Sequence, residues 1–160
     1  MPTAGLLASF FRVVHLSVVV ITFNEAANIA RCLQALGDIA DDVLVVDSFS
    51  TDATVEICRQ HNVRVIQYAF AGYVEQKNYA TSQAKFDHVL QLDADEVLTN
   101  ELRQSIRAAK ADWQYAAYAL VRLTNYCGHW VRHGGWYPDR KLRLYDRRLG
   151  RWTGLLLHEK

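Results

Sequence analysis

At 160 residues, 51% hydrophobic and 22% charged, the chain has the composition of one globular domain with a core of its own, which excludes a disordered or fibrous protein. The formal charge of +1 hides a split: residues 1–121 carry nine Lys/Arg against fourteen Asp/Glu, and residues 122–160 carry nine against three. Three cysteines, Cys32, Cys58 and Cys127, are odd in number and too widely spaced for a disulfide framework or a paired zinc knuckle, and point to a reducing, cytoplasmic setting.

The first apolar run, "AGLLASFFRVVHLSVVVITF", is interrupted by Arg12 and His15 and followed directly by acids. A central arginine costs about 2.5 to 3.5 kcal/mol on insertion scales, so no spanning helix is expected. No small-residue cleavage site marks a signal peptide. Residues 1–15 therefore read as a lead-in, with a peripheral contact to the inner membrane as one use for it.

Residues 16–21 form a β-branched run of strand length. The segment "TFNEAANIARCLQAL" then changes to helical spacing, with Ile29, Leu33 and Leu36 on one face. The unit repeats as a strand over residues 43–46 and the segment "DSFSTDATVEICRQHN", where Ser50, Thr51 or Asp52 can cap a helix that turns Val55 and Cys58 inward. A third strand is predicted over 63–66, a helix over 73–84 and a fourth strand over 89–92. Leu98, Leu102 and Ile106 give the stripe of a further helix. Beyond residue 116 the pattern becomes a strand in "YAAYALVRL" and then loops and short antiparallel strands.

Strands apolar on both faces and separated by helices imply an α/β fold with a mostly parallel sheet covered on both sides. Right-handed crossovers then gather the strand carboxyl ends at one edge, where ligands of open α/β sheets bind. Asn24, Glu25, Asp47, Asp93 and Asp95 all fall just beyond predicted strands.

In "VLQLDADEVL", alternation along a strand would point Asp93 and Asp95 to one side while Ala94 packs to the other. Two adjacent carboxylates repel, and a hard cation relieves the repulsion. Mg²⁺ or Mn²⁺ takes one or two carboxylates and completes its shell with substrate phosphate oxygens. No glycine-rich phosphate cradle follows any strand, so metal and side chains must neutralise the phosphate charge.

The segments "SVVVITFNEAANIARCL", "VLVVDSFSTDAT", "VLQLDADEVL" and "HGGWYPDRKLRLYDRRLGRWTGLLLHE", in that order and spacing, resemble family 2 glycosyltransferases of the GT-A fold over nearly the whole chain. The tail resembles the branch containing the lipopolysaccharide inner-core glucosyltransferases. The resemblance implies a Rossmann-like sheet flanked by helices over residues 16–121. Residues 122–160 become a basic, aromatic acceptor-side segment of the same domain, expected to be incomplete because relatives generally run on past the residue matching Lys160.

It implies a UDP-sugar donor, with Thr22, Asn24 and Glu25 walling the base pocket, Asp47 accepting from base or ribose, and Asp52 in support. Asp93 and Asp95 match the DxD motif that holds Mn²⁺ or Mg²⁺ against the diphosphate, and His158 is a candidate third ligand. Lys77 is placed to meet phosphate. Glu159 is the candidate base of an inverting transfer, with Asp139 as second choice.

Trp136, Tyr137, Arg140 and Arg143 are candidate acceptor contacts, because aromatic faces suit sugar rings and guanidinium groups suit phosphate. A saccharide or lipid-linked saccharide acceptor of the cell envelope would use both. Nucleic acid is not expected, since no binding motif accompanies the charge.

Two rivals share these residues. A haloacid-dehalogenase-type phosphohydrolase would use Asp93 as nucleophile and Asp95 as acid/base, but its motif belongs on the first strand. A non-catalytic module holding an anionic glycan or nucleic acid through the basic tail would leave the DxD acids without a task.

Overall fold

The computed structural model describes residues 13–154 and the backbone of 155, 158 and 159. In chain order the elements that build the sheet and its cover are β1 (Leu16–Thr22), α1 (Ile29–Leu36), β2 (Asp42–Asp47), α2 (Thr54–Gln60), β3 (Arg64–Gln67), α3 (Tyr73–Ser82), β4 (His88–Asp93) and α4 (Asn100–Ala111). They are followed by β5 (Ala117–Arg122), the β6–β7 hairpin (Thr124–Tyr126 and His129–Val131), β8 (Asp139–Asp146), and the short pair β9 (Gly154–Leu155) and β10 (His158–Glu159).

Six strands make one sheet in the order β3-β2-β1-β4-β8-β5. The first four run parallel, whereas β8 is antiparallel to both β4 and β5. The tail segment is thus not confined to the acceptor side: Asp139–Asp146 is the strand that joins β4 to β5. Its pattern is mixed, four exposed or half-buried residues and then four buried ones, and that obscures a central strand in the sequence.

Alternation along the strands builds two cores. Val18 and Val20 of β1 pack with Ile29, Cys32, Leu33 and Leu36 of α1, and with Cys58 of α2 and Ile106 of α4. Val19 and Ile21 point the other way and meet Ala80 of α3, with Tyr145 of β8 beside them. Helices α1, α2 and α4 therefore cover one face and α3 covers the other. α3 buries polar as well as small residues, Gln76, Lys77, Ala80 and Thr81, so one polar stretch of helix faces the sheet interior near the carboxyl edge.

Local chemistry sets the helix starts. Asp52 accepts from the Thr54 amide at 3.0 Å, so of the three candidate caps it is the aspartate that opens α2. The Thr99 hydroxyl accepts from the Leu102 amide at 3.2 Å and opens α4. Leu98 is buried just ahead of that helix, so the apolar stripe begins two residues before the helix itself. Among the described residues no helix is long and apolar enough to cross a membrane.

At the opposite edge from the strand carboxyl ends, Asp146 is nearly buried and takes the Arg148 guanidinium at 2.9 and 2.6 Å. That pair, with the Arg148 amide, holds the Asp146 carboxyl down to about 2. A depressed carboxylate stabilises the fold above its unfolded pKa and ceases to do so as pH falls through the folded value. Asp146→Asn should cost roughly 2 kcal/mol at pH 7. That difference should shrink from about pH 4 downward and vanish near pH 2, as read by urea unfolding across pH.

Candidate active site

The register aligns the carboxyl ends of the parallel strands: Thr22 lies opposite Asp47, Asp47 opposite Gln67, and Ile21 opposite Asp93. The loops after β1 and β2 are sewn together. The Asn24 amide donates to the Ser50 hydroxyl at 2.8 Å, and the Asn24 side-chain oxygen accepts from the Thr51 amide at 2.8 Å. The Glu25 amide reaches Thr54 Oγ1 at 2.8 Å, and Glu25 Oε2 accepts from Asn28 at 2.7 Å. Asp52 Oδ2 accepts from the Ala26 amide at 3.1 Å.

Asp47 is fully buried and already accepts from the Ser50 amide, the Ser50 hydroxyl and Gln67. Through these bonds it organises the loop after β2. Buried polar atoms without a hydrogen-bond partner lie at the same sheet edge. Among the described residues Thr22 Oγ1, Gln76 Oε1 and Asp93 Oδ1 are buried and make no hydrogen bond. Buried polar atoms are nearly always paired in a folded protein, so the unpaired Thr22 Oγ1 and Gln76 Oε1, beside an Asp93 Oδ1 that meets the Lys77 charge at 3.5 Å, suit a place that takes a polar ligand.

The strand ends at Asp93. Ala94 and Asp95 form a turn closed by the Glu96 amide on the Asp93 carbonyl at 3.0 Å. The expectation that Asp93 and Asp95 share a strand face is therefore corrected, although Ala94 does pack into the core. Asp95 is exposed on the turn, and no ion pair or hydrogen bond to it exists among the described residues.

Asp93 is held by cations on both sides. Arg143 Nη2 lies 2.8 Å from Asp93 Oδ2 and 2.8 Å from Glu96 Oε1, and Lys77 Nζ stands 3.5 Å from Asp93 Oδ1. Burial opposes ionisation of Asp93, but the charges of Arg143 and Lys77 outweigh it and keep the carboxyl below its ordinary range. Burial wins at Glu96 and pushes it up, against the pull of Arg143.

Two sequence expectations change with this geometry. Lys77 is only 1% exposed, and its charge is turned to Asp93 rather than spread towards solvent. Arg143, read as an acceptor contact, is buried and pairs with both acids, and it also lines the groove beside them. Trp152 covers both cations, with its ring centre 5.0 Å from Lys77 Nζ and 6.0 Å from the Arg143 guanidinium carbon. Glu96 and Trp152 are the residues that sequence reasoning missed here. Glu96 adjoins the motif, and only its position in the turn reveals that its Oε2 accepts from the Asp93 amide at 3.0 Å.

The ion pairs continue outward. Arg122 lies 3.8 Å from Glu96 and 2.7 Å from Asp139, and Lys141 lies 3.2 Å from Asp139. Burial would raise Asp139, but hydrogen bonds from Lys141 and Arg122 outweigh it and hold the carboxyl below its ordinary range. Asp139, the second-choice base of the sequence, is thus ion-paired with Arg122 and Lys141. The side chains of His158 and Glu159 lie outside the described residues.

Beside this chain of charges opens a groove of about 1720 Å³ between α4, β5, β8 and the β6–β7 hairpin. Asp95 and Glu96 stand at its donor end, and Trp130, Arg132 and Trp136 line the hairpin side. Tyr137 and Arg140 are exposed but do not line it.

The family model described as Glycosyl transferase family 2 matches residues 17–159, from β1 to β10. The chain belongs to glycosyltransferase family 2. An uncharacterized glycosyltransferase of Rickettsia typhi is 35% identical over 144 residues, 88% of this chain and 49% of that protein. The lipopolysaccharide core biosynthesis glycosyltransferase LpsC of Rhizobium meliloti is 28% identical over 143 residues, 86% of this chain and 53% of LpsC. The chain spans about half the length of these curated relatives.

Among solved structures, residues 1–349 of S. aureus TarS superpose with a TM-score of 0.52 at 30% identity, over 59% of this chain and 31% of that one. The complex of the same TarS fragment with UDP-GlcNAc also gives a TM-score of 0.52 at 30% identity, over 59% of this chain and 30% of that one. The GT-A fold expected from the sequence is thus confirmed, and membership of this glycosyltransferase family disfavours the haloacid-dehalogenase reading of "DADE".

In this family 2 domain Arg143 is the cation shared by two carboxylates that burial would otherwise penalise. Arg143→Met should destabilise the fold by about 3 kcal/mol at pH 7. In a Glu96→Gln background the same change should cost less, because one of the stranded charges is gone. Urea unfolding of the four members of this cycle measures the coupling.

Proposed function

We propose that this chain is the donor-binding part of an inverting glycosyltransferase that takes a UDP-sugar and delivers the sugar to a saccharide acceptor of the cell envelope. The observation that carries the reading is the carboxyl edge itself: an exposed Asp95 with no partner among the described residues, beside an Asp93 held below its ordinary range by Arg143 and Lys77. TarS, whose complex contains UDP-GlcNAc, supports the donor class, and LpsC supports the envelope setting.

The residues present fit a divalent cation. No three His, Cys, Asp or Glu side chains converge as a metal cage among the described residues, and Mg²⁺ or Mn²⁺ in phosphate sites needs only one or two carboxylates. Asp95 would hold it, with Asp93 as the second ligand. The bound ion would supply Lewis-acid charge neutralisation to the diphosphate.

The chain's own residues do the rest. Lys77 and Arg143 keep Asp93 ionised at neutral pH and fix its direction. The sewn loops after β1 and β2 present Thr22, Asn24 and Glu25 beside the nucleoside, and Asp47 and Asp52 hold those loops in place. In the transfer the acceptor hydroxyl oxygen bonds to the anomeric carbon as the bond from that carbon to the UDP oxygen breaks. The hydroxyl proton passes to a carboxylate, for which Glu159 is the candidate.

The groove beside Asp95 would take the acceptor, with Trp130 and Trp136 offering flat apolar faces to sugar rings. A lipid-linked acceptor would place the protein at the cytoplasmic face of the inner membrane, as a peripheral contact.

Calorimetric titration with UDP-sugars tests the donor reading. Binding should require Mn²⁺ or Mg²⁺, and Asp95→Asn should weaken it by about tenfold or more. Binding that ignores both metal and substitution would contradict the proposal.

A further inference from the structure

Trp152 follows β8 in a stretch that is neither helix nor strand, yet it is fastened at both its backbone and its ring. The Asn78 side chain meets its main chain as a neighbouring strand would. Asn78 Nδ2 donates to the Trp152 carbonyl at 2.9 Å, and Asn78 Oδ1 accepts from the Trp152 amide at 2.9 Å. The indole Nε1 donates to the Tyr145 hydroxyl at 2.9 Å, and that hydroxyl lies 2.8 Å from Thr81 Oγ1. Asn78 and Thr81 both belong to α3 and, three residues apart, are neighbours on its surface. One helix therefore holds Trp152 by two routes.

The Asn78 bonds do not call for a tryptophan. They go to the main chain and would form with any residue that keeps its N–H, which excludes only proline. What the side chain adds is a flat face set on two buried cations. Its ring centre is 5.0 Å from Lys77 Nζ and 6.0 Å from the Arg143 guanidinium carbon, within the reach of cation–π attraction.

These are the two cations that flank Asp93, with Lys77 Nζ 3.5 Å from Oδ1 and Arg143 Nη2 2.8 Å from Oδ2. A lysine ammonium sits on a flexible four-carbon stem, so it gains most from a surface that fixes it. Lys77 and Asn78 are adjacent on α3. The helix thus supplies one of the cations and, one residue on, the amide that seats the ring against it.

We propose that Asn78 is a positioning residue of the donor site: it seats the Trp152 face on Lys77 and Arg143, and through them fixes the direction of Asp93. This rests on the nucleotide-sugar reading above, and it adds a residue that acts only through its neighbours.

The test is calorimetric titration of the full chain with UDP in the presence of Mn²⁺, at a temperature below the melt of every variant. Because Asn78 holds residue 152 by its backbone, the ring and the latch can be removed separately. Trp152→Leu keeps the latch but loses the flat face, and should weaken UDP binding roughly fivefold. Trp152→Phe keeps a face and should stay within about twofold of wild type. Asn78→Leu, similar in size but unable to hydrogen-bond, should match Trp152→Leu. The double variant should bind no more weakly than either single one, because both changes act through one ring. A role in stability alone would lower the melting temperature and leave the UDP affinity of the folded protein unchanged.

Wild-type affinity in Trp152→Leu, or equal losses in Trp152→Leu and Trp152→Phe, would overturn the role of the face. Wild-type affinity in Asn78→Leu, or additive losses in the double variant, would overturn the link from Asn78 to it. Each of these results leaves the donor reading standing. Where Asn78→Leu does not fold, the two Trp152 variants decide. Failure of wild type to bind UDP would overturn the donor reading and this inference together.

Discussion

Asp93 at the end of β4 is the charge around which the site is arranged. It lies close to the sheet interior, where a carboxylate is costly unless paired. Lys77 from α3 and Arg143 from β8 provide the pairing. Arg143 also binds Glu96, Arg122 joins Glu96 to Asp139, and Lys141 completes the series. The signs alternate along the whole line, from α3 across β4, β8 and β5. Each charge is stabilised by neighbours of opposite sign, so the turn that carries Asp95 is fixed before any ligand arrives. Preorganised charge of this kind is worth more to phosphate chemistry than charge that must rearrange on binding.

The same pairing explains the uneven charge of the sequence. The acidic first part and the basic tail neutralise each other within one domain. Arg147 reaches the Thr81 and Ala84 carbonyls at the end of α3, at 3.0 and 2.9 Å, and pairs with Asp87. Arg148 pairs with Asp146 and Asp87. Several arginines that composition offers to an anionic acceptor are thus used to dock β8 and the segment after it. The basic residues of the tail that line the groove are Arg122, Arg132, Lys141 and Arg143, and Trp130 and Trp136 line it with them.

Much of this was legible in the sequence, for identifiable reasons. The β-branched runs of β1, β2 and β4 are buried on both faces, so their strand character survives without tertiary information. The acids after those strands are placed by sheet topology alone, which puts Asn24, Asp47 and Asp93 at one edge. β8 was hidden because its first half is exposed and charged and its partners are distant in sequence. The roles of Lys77 and Arg143 were hidden for a related reason. A long cationic side chain reads as solvated or phosphate-binding, and only the packed structure shows it turned inward to a carboxylate. The strand argument for Asp93 and Asp95 failed by one residue, since the chain turns immediately after Asp93, and that turn is what leaves Asp95 exposed.

A crystal structure of the protein soaked with UDP and Mn²⁺ tests the central claim most directly. The account predicts the diphosphate at the carboxyl edge of β4 with the ion on Asp95, while Lys77 and Arg143 remain within ion-pair distance of Asp93. UDP bound elsewhere, or bound at this edge with Asp95 turned away from it, would contradict the account.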